Sequence, residues 1–151
     1  MPGVVLDSTC LIALEKIGRL DLLPGLFSHL HAPPAVADEF GRSLPWLTVT
    51  SVSNQFSVTV LRTQLDRGEA EALVLASELA AERVVLDHKK ARRIAGTLEL
   101  RVIGTVGIVL RAKQAGMIEA CRPVLEELRR VGFHISEALF KEALRLADES
   151  R

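Results

Sequence analysis

Two aspartates follow short apolar runs: Asp7 comes after Val4-Val5-Leu6, and Asp87 after Val84-Val85-Leu86. Runs that short read as buried strands, because a helix needs more length. Each acid then falls at a strand's carboxyl end. Two glutamates occupy helical stretches: Glu39 in Pro34-Ala35-Val36-Ala37-Asp38-Glu39-Phe40, and Glu69 in Gly68-Glu69-Ala70-Glu71-Ala72. Carboxylate oxygens suit hard divalent cations, and several held together repel one another unless a cation lies among them. Asp7, Glu39, Glu69 and Asp87 are therefore candidate metal ligands. Each also has an ordinary reading. Asp7 and Glu69 fit helix starts, where the dipole favours an acid. Glu39 fits a solvated position beside the face formed by Val36 and Phe40. Glu69 and Glu71, two residues apart, point to different faces of a helix, so at most one of them reaches a site.

Other residues near these acids bear on the same chemistry. Ser8 and Thr9 are placed to orient ligands. His88 reads as a ligand, an acid/base group or a surface residue. Lys89, Lys90, Arg92 and Arg93 follow at a helix start, where cations oppose the dipole. Such a run is ordinarily a solvated face, and the opposed dipole adds a little weight to the alternative, a phosphate-binding role. Gly104-Thr105-Val106-Gly107 lies at a strand-to-helix turn but lacks the spacing of a P-loop or a dinucleotide fingerprint. Thr105 reads first as an N-cap. His29, His31 and His134 fall in apolar surroundings without metal-ligand spacing and read as structural.

Positioning these groups requires short strands alternating with helices. Strands are expected at 4–6, 28–32, 84–86 and 101–103, with at best a short edge strand in 43–53. Helices are expected at 9–17, 20–27, 34–40, 55–65, 69–80, 89–98, 106–115, 118–131 and 136–148. Gly18 and Gly41 end two of them, Gly68 stands before the Ala-rich one, and the polar tail is expected to fray. Strands alternating with helices imply an α/β fold, a three-layer α/β/α sandwich on a short parallel sheet. Ligands in such sheets bind off the carboxyl ends of the strands, where Asp7 and Asp87 sit.

The bulk properties set bounds. A chain of 151 residues suits one domain, expected over 1–151 with C-terminal helices at about 118–148. It is 48% hydrophobic, and its 19 basic and 19 acidic residues cancel, so it carries no global field for capturing nucleic acid. Local basic patches would have to supply one. Cys10 and Cys121 lack CxxC partners, which argues against zinc through cysteine and fits a reducing cytosol. The start, Met1-Pro2-Gly3-Val4-Val5-Leu6-Asp7, reaches an acid too soon for a signal peptide, and no apolar run is long enough for a membrane helix. A soluble, cytoplasmic protein is expected.

The order of the acids along the chain resembles that of the PIN-domain nucleases. The matching stretches are Val4 to Thr9, Pro34 to Glu39, Gly68 to Ala76, Val84 to Arg92 and Gly104 to Leu110. The tail, with Arg111-Ala112-Lys113 and Gly132-Phe133-His134-Ile135-Ser136, resembles a VapC-like bacterial and archaeal branch found beside small antitoxin genes. The resemblance implies a four- or five-stranded parallel sheet and convergent acids binding Mg²⁺ or Mn²⁺. Asp7, Glu39 and Glu69 match the first three acids, and Thr105 a small hydroxyl residue near them. At the fourth position many relatives have two adjacent aspartates where this chain has Asp87-His88, so Asp87 and His88 are alternative ligands. The implied activity is endoribonucleolytic cleavage by a toxin that pairs with an antitoxin and forms a homodimer, for which the apolar helices of 11–27 and the C-terminal pair would offer a face. The alternative is a catalytically degenerate PIN domain that binds RNA or protein. A receiver-like phosphotransfer domain ranks last, because no downstream lysine at a strand end completes it.

Overall fold

In the computed structural model, which describes residues 3–150, the run Val4–Leu6 forms β1. Met1, Pro2 and Arg151, the ends of the expected domain span, lie outside the described residues. All three side chains of β1 are buried, but they serve different cores: Val4 and Leu6 join one apolar cluster, and Val5 another. Successive strand residues face opposite sides, so a strand that is apolar throughout must be covered twice. Asp7 leads into Ser8–Lys16 (α1), followed by Leu22–Leu26 (α2), Leu30–Ala32 (β2), Pro34–Phe40 (α3), Leu47–Val49 (β3) and Gln55–Leu61 (α4). Then come Arg67–Leu79 (α5), Arg83–Val85 (β4), Lys89–Thr97 (α6), Val102–Ile103 (β5), Thr105–Gln114 (α7), Cys121–Arg130 (α8) and Glu137–Leu146 (α9).

The five strands are parallel in the order β3-β2-β1-β4-β5. The chain builds outward from β1 to β3, then returns to the other side of β1. The order therefore reverses between β1 and β4, which pair Leu6 with Val85 at their carboxyl ends. Connections leaving such neighbours depart to opposite faces and open a crevice. α1, α2, α7, α8 and α9 cover one face through Leu11, Leu23, Ile108, Leu125 and Phe140. α4, α5 and α6 cover the other through Val58, Leu73, Leu75 and Ala91. This is the expected three-layer α/β/α sandwich.

Four local readings change. Asp66 caps α5, so the helix begins at Arg67 and Gly68 lies inside its first turn instead of ahead of it. α8 begins at Cys121, not Ile118. Leu11, Leu14, Leu22 and Leu23, in the stretch expected to offer a dimer face, are fully buried in the core. The tail, expected to fray, is tied down at Glu149. The Glu149 carboxylate accepts from Cys121 N at 2.7 Å, Lys113 Nζ at 2.9 Å and Arg122 N at 3.0 Å. It thereby satisfies N–H groups that the start of α8 leaves without helical partners. Burial alone would raise the Glu149 pKa, but these donors hold it down at about 2.

Candidate functional site

Asp7 lies at the floor of the β1–β4 crevice, in extended backbone as the N-cap of α1, and is 4% exposed. Burial pushes its carboxyl up to about 7. The Ser8 N–H pulls it down, while the negative charges of Glu69, Asp66 and Glu39 push it further up. Two separate segments, α3 and the start of α5, thus bring three carboxylates to Asp7. Glu39 and Glu69 were expected there, and Asp66 is an addition.

Gly68 is what lets them meet. A Cβ at this position would stand 2.5 Å from Glu39 Oε1 and 3.6 Å from both Asp7 Oδ1 and Asp66 Oδ1. The first turn of α5 therefore presents bare backbone to three carboxylates. Glu39, on α3, is steadied by Ser8 Oγ, which donates to its Oε1 at 3.2 Å. Asp66 and Glu69 hold each other in a capping box: Glu69 N donates to Asp66 Oδ1 at 2.8 Å, and Asp66 N to Glu69 Oε1 at 3.4 Å. The spacing Asp66-Arg67-Gly68-Glu69 carries that signal in sequence. Treating Gly68 as a separator hid it.

The fourth position divides its two residues. His88 joins the cluster, with Nδ1 2.5 Å from Glu69 Oε2. That hydrogen bond holds the imidazole above its ordinary range against the opposing effect of burial, and the charges of Glu69, Asp7 and Asp66 add to it. Asp87, at the neighbouring strand end, accepts from Thr105 N at 2.8 Å and Thr105 Oγ1 at 2.7 Å, so the β5–α7 turn provides two donors that hold its carboxylate. Thr105 is fully buried and, as partner to Asp87, helps fix that turn.

The remaining candidates separate cleanly. Glu71 is buried and structural: it accepts from Ala35 N at the start of α3 at 3.0 Å and from Arg67 Nε at 3.0 Å. Of the two glutamates, only Glu69 faces the cluster. Lys89, Lys90, Arg92 and Arg93 are exposed at the start of α6. His31 bonds Thr50 Oγ1 through Nδ1 at 2.9 Å, as a structural residue would. His29 and His134 are exposed, contrary to their expected structural roles, because their neighbours' apolar side chains turn inward without them.

Among the described residues, no three His, Cys, Asp or Glu side chains stand in a closed metal-binding arrangement. The chemistry of the donors nevertheless fits a divalent cation. A buried carboxylate faces three others, all hard oxygen donors, around a cradle that one methyl would fill. The His88 imidazole beside them is held toward its charged form by the Glu69 hydrogen bond. Among the described residues, no helix is long and apolar enough to cross a membrane. Residues 3–149 match a family model described as the PIN domain. No curated protein matches the chain.

Proposed function

The chain belongs to the PIN-domain family, whose members are generally nucleases that use divalent metal ions, and from that premise we propose that it is a metal-dependent endoribonuclease. The observation that carries this reading is Asp7, buried beneath three further carboxylates at the switch point of the sheet. Asp7, Glu39, Glu69 and the additional Asp66 would hold Mg²⁺ or Mn²⁺. When bound, such an ion polarises a phosphate oxygen and lowers the pKa of bound water.

The chain's own residues do the rest. Ser8 fixes the Glu39 carboxylate. The capping box fixes Asp66 and Glu69 on the first turn of α5. Lys89, Lys90 and Arg92 offer cations to the RNA backbone, the local patch that a neutral chain requires. Asp87 and Thr105 brace the turn beside the cluster, and His88 Nδ1 is hydrogen-bonded to Glu69. The reading extends to the toxin of a toxin–antitoxin pair, acting in the cytoplasm as a homodimer with a small antitoxin partner. The resemblance of the C-terminal stretch to the VapC-like branch supports that extension.

A second reading, a degenerate PIN domain that binds RNA or protein without cutting, draws on the fourth position. There His88 stands with Glu69, and both Asp87 oxygens are engaged by Thr105. Cleavage of single-stranded RNA with Mg²⁺ or Mn²⁺, with Asp7→Asn as the control, decides between the two. The nuclease reading expects cleavage that this substitution abolishes. Undiminished cleavage by Asp7→Asn, or none by the unmodified chain, rejects it.

A further inference from the structure

A cavity of about 330 Å³ opens between β5, α7 and α9 and reaches the carboxyl edge of the sheet at Asp87, the residue before His88. That lies within the ~300–1,000 Å³ of pockets that hold small ligands. Its walls are largely apolar, with Ile103, Val106, Leu110, Phe133, Leu139 and Leu146 among them. Leu139 and Leu146 are 45% and 56% exposed, so this apolar surface is open to solvent. The cavity is also lined by Asp87 and Arg92, which tie it to the carboxyl edge of the sheet, by the exposed His134, and by Glu142 on α9, whose carboxylate is paired with Arg145.

Two glycines shape this space. A Cβ at Gly107 would stand 2.8 Å from Ile103 Cγ1 and force that side chain to move. A Cβ at Gly104 would stand 2.7 Å from Arg92 Nη1, so the guanidinium lies directly against the backbone there. Arg92 donates to the Leu86 carbonyl at 3.3 Å. A guanidinium has five N–H donors, which leaves several for an anion.

An apolar slot, an aromatic ring and a cation at the carboxyl edge of the sheet together match one ligand class. A nucleotide carries a flat ring with a polar edge and a phosphate on the same unit. Lys89, Lys90 and Arg93 continue the positive charge along α6, as a run of phosphates would need. We infer that this cavity is a base-binding subsite, which receives the nucleobase of a nucleotide adjoining the phosphate at the acidic cluster while Arg92 holds that nucleotide's own phosphate. This rests on the ribonuclease reading for what happens at the neighbouring phosphate, but the binding itself stands apart from cleavage. Phe133 and the leucines enclose the ring, and His134 is available to its edge.

The test uses the full chain carrying Asp7→Asn and a short single-stranded oligoribonucleotide with one internal abasic position, scanned along the strand. Affinity is read by fluorescence anisotropy. At one position, removing the base should weaken binding by at least roughly fivefold, the lower end of what one stacked base contributes. Leu139→Trp, on the exposed rim, should fill the slot and erase that difference, while Lys141→Ser on the outer side of α9 should retain it. In the unmodified chain the same abasic position should raise KM for cleavage. Uniform affinity for all abasic positions, or an unchanged abasic profile in Leu139→Trp, overturns the inference even if RNA is cleaved. A profile that depends on Leu139 in a chain that cuts no RNA leaves the subsite standing and rejects the nuclease reading. A slot that takes an apolar segment of a protein instead would give the flat RNA profile and so also overturn it.

Discussion

Asp7 makes the metal-free protein sensitive to pH in a direction opposite to most aspartates. Its carboxyl is raised from an ordinary 3.8 to about 7, chiefly by burial, with Glu69, Asp66 and Glu39 adding to it. Between those two values the native state holds a proton that the unfolded chain has lost. Stability contributed at this position is therefore present at about pH 4 and declines as pH rises to 7. Each pH unit is worth about 1.4 kcal/mol, so the whole difference approaches about 4 kcal/mol. Asp7→Asn keeps the shape and removes the charge. In chelator at pH 8.5 the variant should be the more stable protein by up to about 4 kcal/mol, and near pH 4 the two should match. For a chain of 151 residues this is a rise in Tm of roughly 8–16 °C at the upper pH. Adding Mn²⁺ should reverse the order: an ion at a hundred times its Kd adds about 2.7 kcal/mol to the unmodified protein and little to the variant. Thermal unfolding at several pH values, with and without ion, measures both effects. A variant that is less stable than the parent in chelator at pH 8.5, or one with the same loss of stability between pH 4 and 7, would show that Asp7 does not carry the charge burden assigned to it.

Glu71→Ala should lower stability by about 1–3 kcal/mol in urea unfolding, since it leaves the Ala35 N–H at the start of α3 without its acceptor. Glu149 acts in the usual sense of a carboxylate: its contribution is present above the ordinary glutamate value of 4.5 and is lost as pH falls toward about 2. Glu149→Gln should accordingly flatten the acid limb of the stability profile in that window while leaving RNA cleavage intact. His88→Ala should reduce activation by Mn²⁺ more than activation by Mg²⁺, because imidazole suits the former ion and Mg²⁺ prefers oxygen. Parallel ion titrations of cleavage would expose the error if both fell equally.

The strand-end acids were legible because three apolar residues before an acid leave few alternatives to a short buried strand. Val4–Leu6 and its Asp7 stand as read. Glu39 was legible only through the resemblance, since on its own helix it is an exposed acid among others. The third strand, Leu47–Val49, was readable as a short edge and lies at the edge. Asp66 escaped because a glycine two residues on looked like a helix break, whereas a first turn tolerates glycine when a cap holds it. The direction of Asp87 was not readable at all. It depends on Thr105, eighteen residues later, and on the β4–β5 pairing that brings the two together. Glu71 likewise depends on Ala35, thirty-six residues earlier. Local pattern places a side chain on an element, and long-range contacts decide what it touches.

Gly68 carries one more consequence. The atom that a methyl there would meet is the tip of a glutamate side chain, not backbone or core. Glu39 can swing away into solvent without disturbing α3 or α5. A single alanine at this position would therefore leave a chain that folds normally and holds its sheet, but with one carboxylate pushed out of reach of the others. Survival of the architecture and survival of its chemistry come apart at one hydrogen atom. A lineage could lose the site here in one step without paying in stability, and a screen that scores only folding would never notice.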